Sequence, residues 1–143
     1  MKLVNNPTEI LGEKVIQDNR EILESLIKGI PCCKFEWGNS LYPIIRDGEY
    51  VRILPINLNN NFALDRIKVG DVVFCEFATA DGEPFYMIHM VTAISYAHYS
   101  NKPWFKIGST HGETYGWTQK IYGLCYGTDY IQQKEKKKSK YWF

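Results

Sequence analysis

Ser40 is the residue whose type and setting point most directly to chemistry. It lies in the stretch Phe35-Glu36-Trp37-Gly38-Asn39-Ser40-Leu41-Tyr42-Pro43-Ile44-Ile45-Arg46-Asp47-Gly48-Glu49-Tyr50-Val51-Arg52-Ile53. That stretch reads as a strand, a Gly-led turn, a Pro-limited turn, an Asp-Gly turn and a second strand. A serine at such a corner stands outside any strand ladder, free to turn its hydroxyl toward a cleft as a nucleophile. The plainer role is hydrogen bonding to turn backbone, and the local sequence leaves both open. A serine hydroxyl is a weak nucleophile near neutral pH and needs a base. The histidines are His89, His98 and His111. His89 sits in the β-prone run Tyr86-Met87-Ile88-His89-Met90-Val91, where alternation places Met87 and Val91 on its own side and Ile88 and Met90 on the other. A satisfied core histidine is the plainer alternative there. Lysine is absent from Val69 to Ile94, and His98 falls between tyrosines with no assigned role.

Gly38-Asn39-Ser40-Leu41-Tyr42-Pro43-Ile44-Ile45-Arg46-Asp47-Gly48-Glu49-Tyr50-Val51 resembles the nucleophile box of the signal-peptidase and LexA-like serine peptidases. Leu41 stands for the usual Met and Glu49 for the usual Asp. Val69-Gly70-Asp71-Val72-Val73 resembles the second box, and Tyr86 to Val91 the strand that carries the base in the histidine branch, with Met90 for Arg. The resemblance implies a Ser40–His89 dyad, with His89 as general base. Phe105 to His111 occupies the place of a third, Gly-Asp-Asn-like box, where Ser109 replaces the Asp that orients the base. Ser109, His111 and Glu113 are the candidates to orient His89 instead. The oxyanion is expected on the Ser40 amide and a second donor at Gly38 or Asn39. The resemblance covers about Phe35 to Gly127. It implies a mainly β, coiled antiparallel β-barrel-like domain acting on an extended peptide or protein.

The elements that must position these residues follow from patterning. Thr8 is a candidate N-cap, and Glu9 to about Lys28 reads as one amphipathic helix. Ile10, Leu11, Val15, Ile16, Ile22, Leu23, Leu26 and Ile27 fall on one face, and Gly29 and Pro31 close it. Such a helix packs on its own domain or serves a protein partner or homodimer. Strands are expected over Cys32 to Trp37, Tyr50 to Ile53, Val72 to Phe77, Pro84 to Ile94, Trp104 to Ile107 and Lys120 to Tyr126. The Asn run after Leu54, the stretch Ser95 to Pro103 and the stretch Gly108 to Gly116 read as loops. The expected organisation is an N-terminal helical segment (1–30), a peptidase-like β domain (31–131) and a charged tail (132–143). Many short strands separated by Gly, Asp and Asn turns agree with an all-β domain on their own account.

With 143 residues the chain has one domain's worth of core, and ten Tyr with four Trp favour β structure. A net charge of +1 supplies no global field for nucleic acid or an anionic surface. The run Lys134 to Lys140 reads as a solvated tail without the aromatic interleaving of a nucleic-acid binder, so no nucleic-acid partner is expected. Cys32, Cys33, Cys75 and Cys125 lack metal-ligand spacing; buried thiols in a reducing cytoplasm are expected, with no metal or cofactor. No apolar run approaches the roughly 18 residues that a membrane span needs. No Ala-Gly or Cys-Gly pair precedes the serine box as a self-cleavage site. A non-catalytic module that binds a partner through the cleft or the first helix remains the alternative to a peptidase.

Overall fold

The computed structural model describes residues 1–56, 64–96 and 102–133. The Asn run, His98 and the lysine-rich run from Lys134 lie outside the described residues.

The protein is mainly β. Its strands are β1 (Lys2–Val4), β2 (Glu9–Ile10), β3 (Glu13–Lys14), β4 (Cys32–Glu36), β5 (Glu49–Pro55), β6 (Val72–Ala78), β7 (Pro84–Ser95), β8 (Trp104–Gly108), β9 (Thr114–Thr118) and β10 (Ile121–Gln132). The helix α1 spans Asn19–Ile27. One sheet runs β4-β5-β10-β6-β7-β8-β9, antiparallel throughout, with β1 added in parallel to the end of β10. Its outer strands β4 and β9 do not pair with each other, so the sheet is open; the barrel-like closure expected above is not formed among the described strands.

Three apolar clusters form on the faces set by strand alternation, the smallest of them Ile10, Cys33 and Tyr50. The first joins Ile22 and Leu26 of α1 to Leu41, Ile45, Val51, Ile53, Phe74 and Ile88. The second joins Val73, Cys75, Val91, Phe105, Ile107 and Ile121. All four thiols are free and buried, and burial pushes Cys32 up to about 11 and Cys33 and Cys75 up to about 12. Thiols held neutral in this way are poor nucleophiles.

The N-terminal helix is shorter than its apolar spacing suggests. Glu9 to Lys14 is instead a hairpin of β2 on β3, turned at Leu11 and Gly12, both at positive φ. Apolar residues three to six apart serve a hairpin as well as a helix, and Gly12 favours the turn. The helix begins at Asp18, whose side chain accepts the Glu21 N–H at 3.0 Å. Asp18-Asn19-Arg20-Glu21 carries the spacing of a helix N-terminus, a signal that marks this start rather than Thr8. The C-terminal end is as expected: Gly29, at φ 77°, donates to Leu26 O, and Ile30 to Ser25 O.

Gly108 to Gly116 is not all loop, because Thr114–Thr118 forms the edge strand β9 against β8. Gly116 has φ 141°, and a Cβ there would meet the Phe77 ring at 3.1 Å, so glycine lets β9 cross β6 closely.

Candidate active site

The serine turn is held from within its own hairpin. Gly48 N–H donates to Glu36 O at 2.7 Å, and Gly38 N–H donates to Asp47 Oδ1 at 2.7 Å. The buried Glu49 carboxylate accepts Arg46 N–H at 3.0 Å and, across the sheet, Asp129 N–H at 2.9 Å. Gly127 leaves the room for that carboxylate, since a Cβ there would lie 2.4 Å from Glu49 Oε2. The Asp-Gly-Glu turn is thus a brace for the corner, and Asp47 and Glu49 act through backbone hydrogen bonds. Leu41 and Ile45 root the corner in the first apolar cluster, while Tyr42 and Ile44 stay exposed. The Tyr42–Pro43 peptide is cis.

A second segment, Gly108 to Glu113, holds the turn from outside. Thr110 N–H donates to Ser40 O at 2.9 Å, and the Thr110 hydroxyl lies 2.6 Å from Tyr42 O and 3.2 Å from Ser40 O. His111 Nε2 lies 2.8 Å from Asn39 O. A carbonyl oxygen only accepts, so Nε2 is the protonated nitrogen of His111. The segment is itself closed by Ser109, whose Oγ accepts the N–H groups of His111 and Glu113, each at 3.1 Å. Gly108 permits that closure: a Cβ there would fall 2.2 Å from Glu113 O.

These contacts fix the direction of the serine peptides. In a trans peptide the C=O and N–H point opposite ways. The carbonyls of Asn39 and Ser40 both turn to Thr110 and His111, so the N–H groups of Ser40 and Leu41 turn away from that segment. Among the described residues neither amide has an acceptor, and the half-buried Ser40 hydroxyl has no hydrogen-bond partner. Gly38, an expected oxyanion donor, has its amide occupied by Asp47. Asn39 is exposed, and its carbonyl is an anchor of the turn.

His89 lies on β7, paired with Val73 of β6. Alternation puts it on the side of Met87 and Val91, whereas the serine turn packs with Ile88 on the other. The next residue, Met90, pairs with Gly108, so the segment that anchors Ser40 also adjoins the His89 end of β7. No hydrogen bond joins Ser40 and His89 here. His89 Nδ1 is buried without a partner. The ring lies 4.3 Å, centroid to centroid, from that of Tyr115, whose hydroxyl donates to Glu113 Oε2 at 2.8 Å. Burial pushes His89 below its ordinary range, and the Glu113 carboxylate pulls the other way. Burial thus favours the neutral imidazole, the form a general base requires.

The structure thus brings Asn39, Ser40, Ser109 and His111 into one bonded unit, whereas His89 faces the other side of β7, against Tyr115. Ser109 braces its own turn and His111 braces the serine turn; neither bonds His89. Thr110 and Tyr115 escape a reading of the sequence because both act across strands far apart in the chain. Among the described residues no cluster of His, Cys, Asp and Glu is arranged to hold a metal ion, and no helix is long and apolar enough to cross a membrane. Comparisons with protein-family models, curated proteins and solved structures return no match.

Proposed function

We propose that this protein is a serine peptidase of the signal-peptidase and LexA-like type, cutting extended peptides with Ser40 as nucleophile and His89 as base. The open antiparallel sheet would be its version of that family's coiled, barrel-like domain. The observation that carries the proposal is the serine turn itself. Its carbonyls are anchored to Thr110 and His111, and among the described residues its hydroxyl and two amides are left unbonded. A turn whose serine served only the backbone would have that hydroxyl engaged.

In this reading Ser40 Oγ attacks the scissile carbonyl carbon while His89 takes the hydroxyl proton. The oxyanion would be held by the N–H groups of Ser40 and Leu41, which turn away from Thr110 and His111; one such donor is usually worth about 3 kcal/mol in the transition state. His89 then protonates the leaving amine, and the C–N bond breaks to give the acyl-enzyme. Water, deprotonated by His89, releases the acid and restores Ser40. Because the His89 ring lies on the side of β7 away from the serine turn, the dyad requires that ring to be carried to hydrogen-bond distance of Ser40 in the substrate complex, a larger change than the tightening common in catalytic pairs.

The second reading is a peptidase-fold module that binds a protein without cutting it. The observation favouring it is Ser109, whose hydroxyl is turned into its own loop where the family places a carboxylate toward the base. Incubating wild type, Ser40→Ala and His89→Gln with a diverse peptide pool, read by mass spectrometry, separates the two. Cleavage by wild type that falls at least a thousandfold in Ser40→Ala supports the peptidase. Equal cleavage by wild type and Ser40→Ala contradicts it.

A further inference from the structure

The carboxylate missing at Ser109 has a counterpart four residues on. Glu113 ends the same segment, and its Oε2 accepts the Tyr115 hydroxyl at 2.8 Å. The Tyr115 ring in turn lies against His89, with the ring planes inclined at 38°. Ser109 Oγ fixes the Glu113 backbone through its N–H, and Glu113 O accepts Ser109 N–H at 2.9 Å. The backbone that carries Glu113 is therefore bound to the segment that anchors Ser40. His89 Nδ1 is buried and has no hydrogen bond, so nothing else bonded to that nitrogen sets the ring.

We propose that Glu113 and Tyr115 are positioning residues for His89, supplying together what an aspartate at Ser109 would supply. Tyr115 holds the imidazole plane by ring contact and tethers the Glu113 carboxylate. Glu113 provides the negative charge that favours the imidazolium formed when His89 takes the Ser40 proton. The role in catalysis rests on the peptidase reading; the action on His89 does not.

The other neighbours of His89 support this division. On β6, Val73 faces it and Cys75 lies two residues along on the same side. Cys75 is neutral, its thiol pushed by burial up to about 12. On β7 itself Met87 and Val91 share the side, and beyond β8 lies Ser109. Glu113 is thus the charge that acts on His89 among the described residues, and it opposes the effect of burial. Because a carboxylate favours the protonated ring, its removal must lower the pH at which His89 titrates.

The test is an NMR titration of the histidine ring signals in wild type, Glu113→Gln and Tyr115→Phe. The His89 signal is the one lost in His89→Gln. Glu113→Gln is expected to move the His89 midpoint to lower pH. Tyr115→Phe, which keeps the ring but releases the tether, moves it the same way by less. In peptide cleavage, Glu113→Gln is expected to lower kcat about tenfold with KM little changed, the size of one nearby charge acting on a developing cation. The acid limb of its pH profile shifts down with the titration. An unchanged His89 midpoint in a folded Glu113→Gln protein overturns the proposal; if that variant does not fold, an unchanged midpoint in Tyr115→Phe does. Absence of Ser40-dependent cleavage by wild type overturns the peptidase reading alone, and the titration still decides whether Glu113 acts on His89.

Discussion

Thr110 does for Ser40 what no residue near it in sequence does. Its N–H and hydroxyl meet two carbonyls of the serine turn, and His111 meets a third. Those bonds turn the Ser40 and Leu41 amides away from Thr110 and His111, so the geometry of the turn depends on a threonine seventy positions away. Thr110→Val keeps the backbone N–H and the branched shape but loses the hydroxyl. It is expected to cost about 1 kcal/mol of stability and, through a loosened nucleophile, about tenfold in Ser40-dependent cleavage. Urea denaturation with peptide cleavage checks both; full cleavage at reduced stability would show that the turn needs no aim from Thr110. Ser40 was legible in the sequence because Gly38, Pro43 and Asp47-Gly48 are local turn chemistry. The proposal of His89 as base rests on the resemblance alone. Glu113 was already a candidate partner of His89 in the sequence, whereas Thr110 and Tyr115 were not legible, since they reach Ser40 and His89 through pairing of β7, β8 and β9, which no local pattern encodes.

Among the elements, β10 carries the largest structural burden. It lies between β5 and β6, and its register shifts between Gly127 and Ile131, where Asp129 adopts φ 68°. That bulge turns Asp129 N–H toward Glu49, and Gly127 makes space for the carboxylate. Gly127→Ala is therefore expected to destabilise the fold by about 1–3 kcal/mol, the cost of overpacking a filled site. The check is a lower denaturation midpoint at constant m-value; an unchanged midpoint would mean that Glu49 moves aside freely. The strands β4 to β8 were legible because alternating β-branched and aromatic residues lie between Gly, Asp and Pro turns. The helix was half legible. Its closing signals at Gly29 and Pro31 are local, but its start was masked by apolar residues that suit a hairpin and a helix alike. Two strands were missed for other reasons: β1 is three residues long and exists by pairing with β10, and β9 hides in a Gly- and Thr-rich stretch.

At the scale of the whole molecule, apolar clusters cover both faces of one open sheet, and the serine corner sits where β4 leaves that sheet. The corner is braced by Asp47 and Glu49 on one side and by Gly108 to Glu113 on the other. All four thiols are buried, and burial holds them neutral. The central claim is that Ser40 is activated by His89, and it can be tested without knowing the substrate. The measurement is covalent labelling by a serine-directed phosphonylating reagent near neutral pH, mapped by peptide mass spectrometry in wild type and His89→Gln. The account predicts a single adduct on the peptide that contains Ser40, lost or slowed at least a hundredfold in His89→Gln. An unlabelled Ser40, or equal labelling with and without His89, would contradict it.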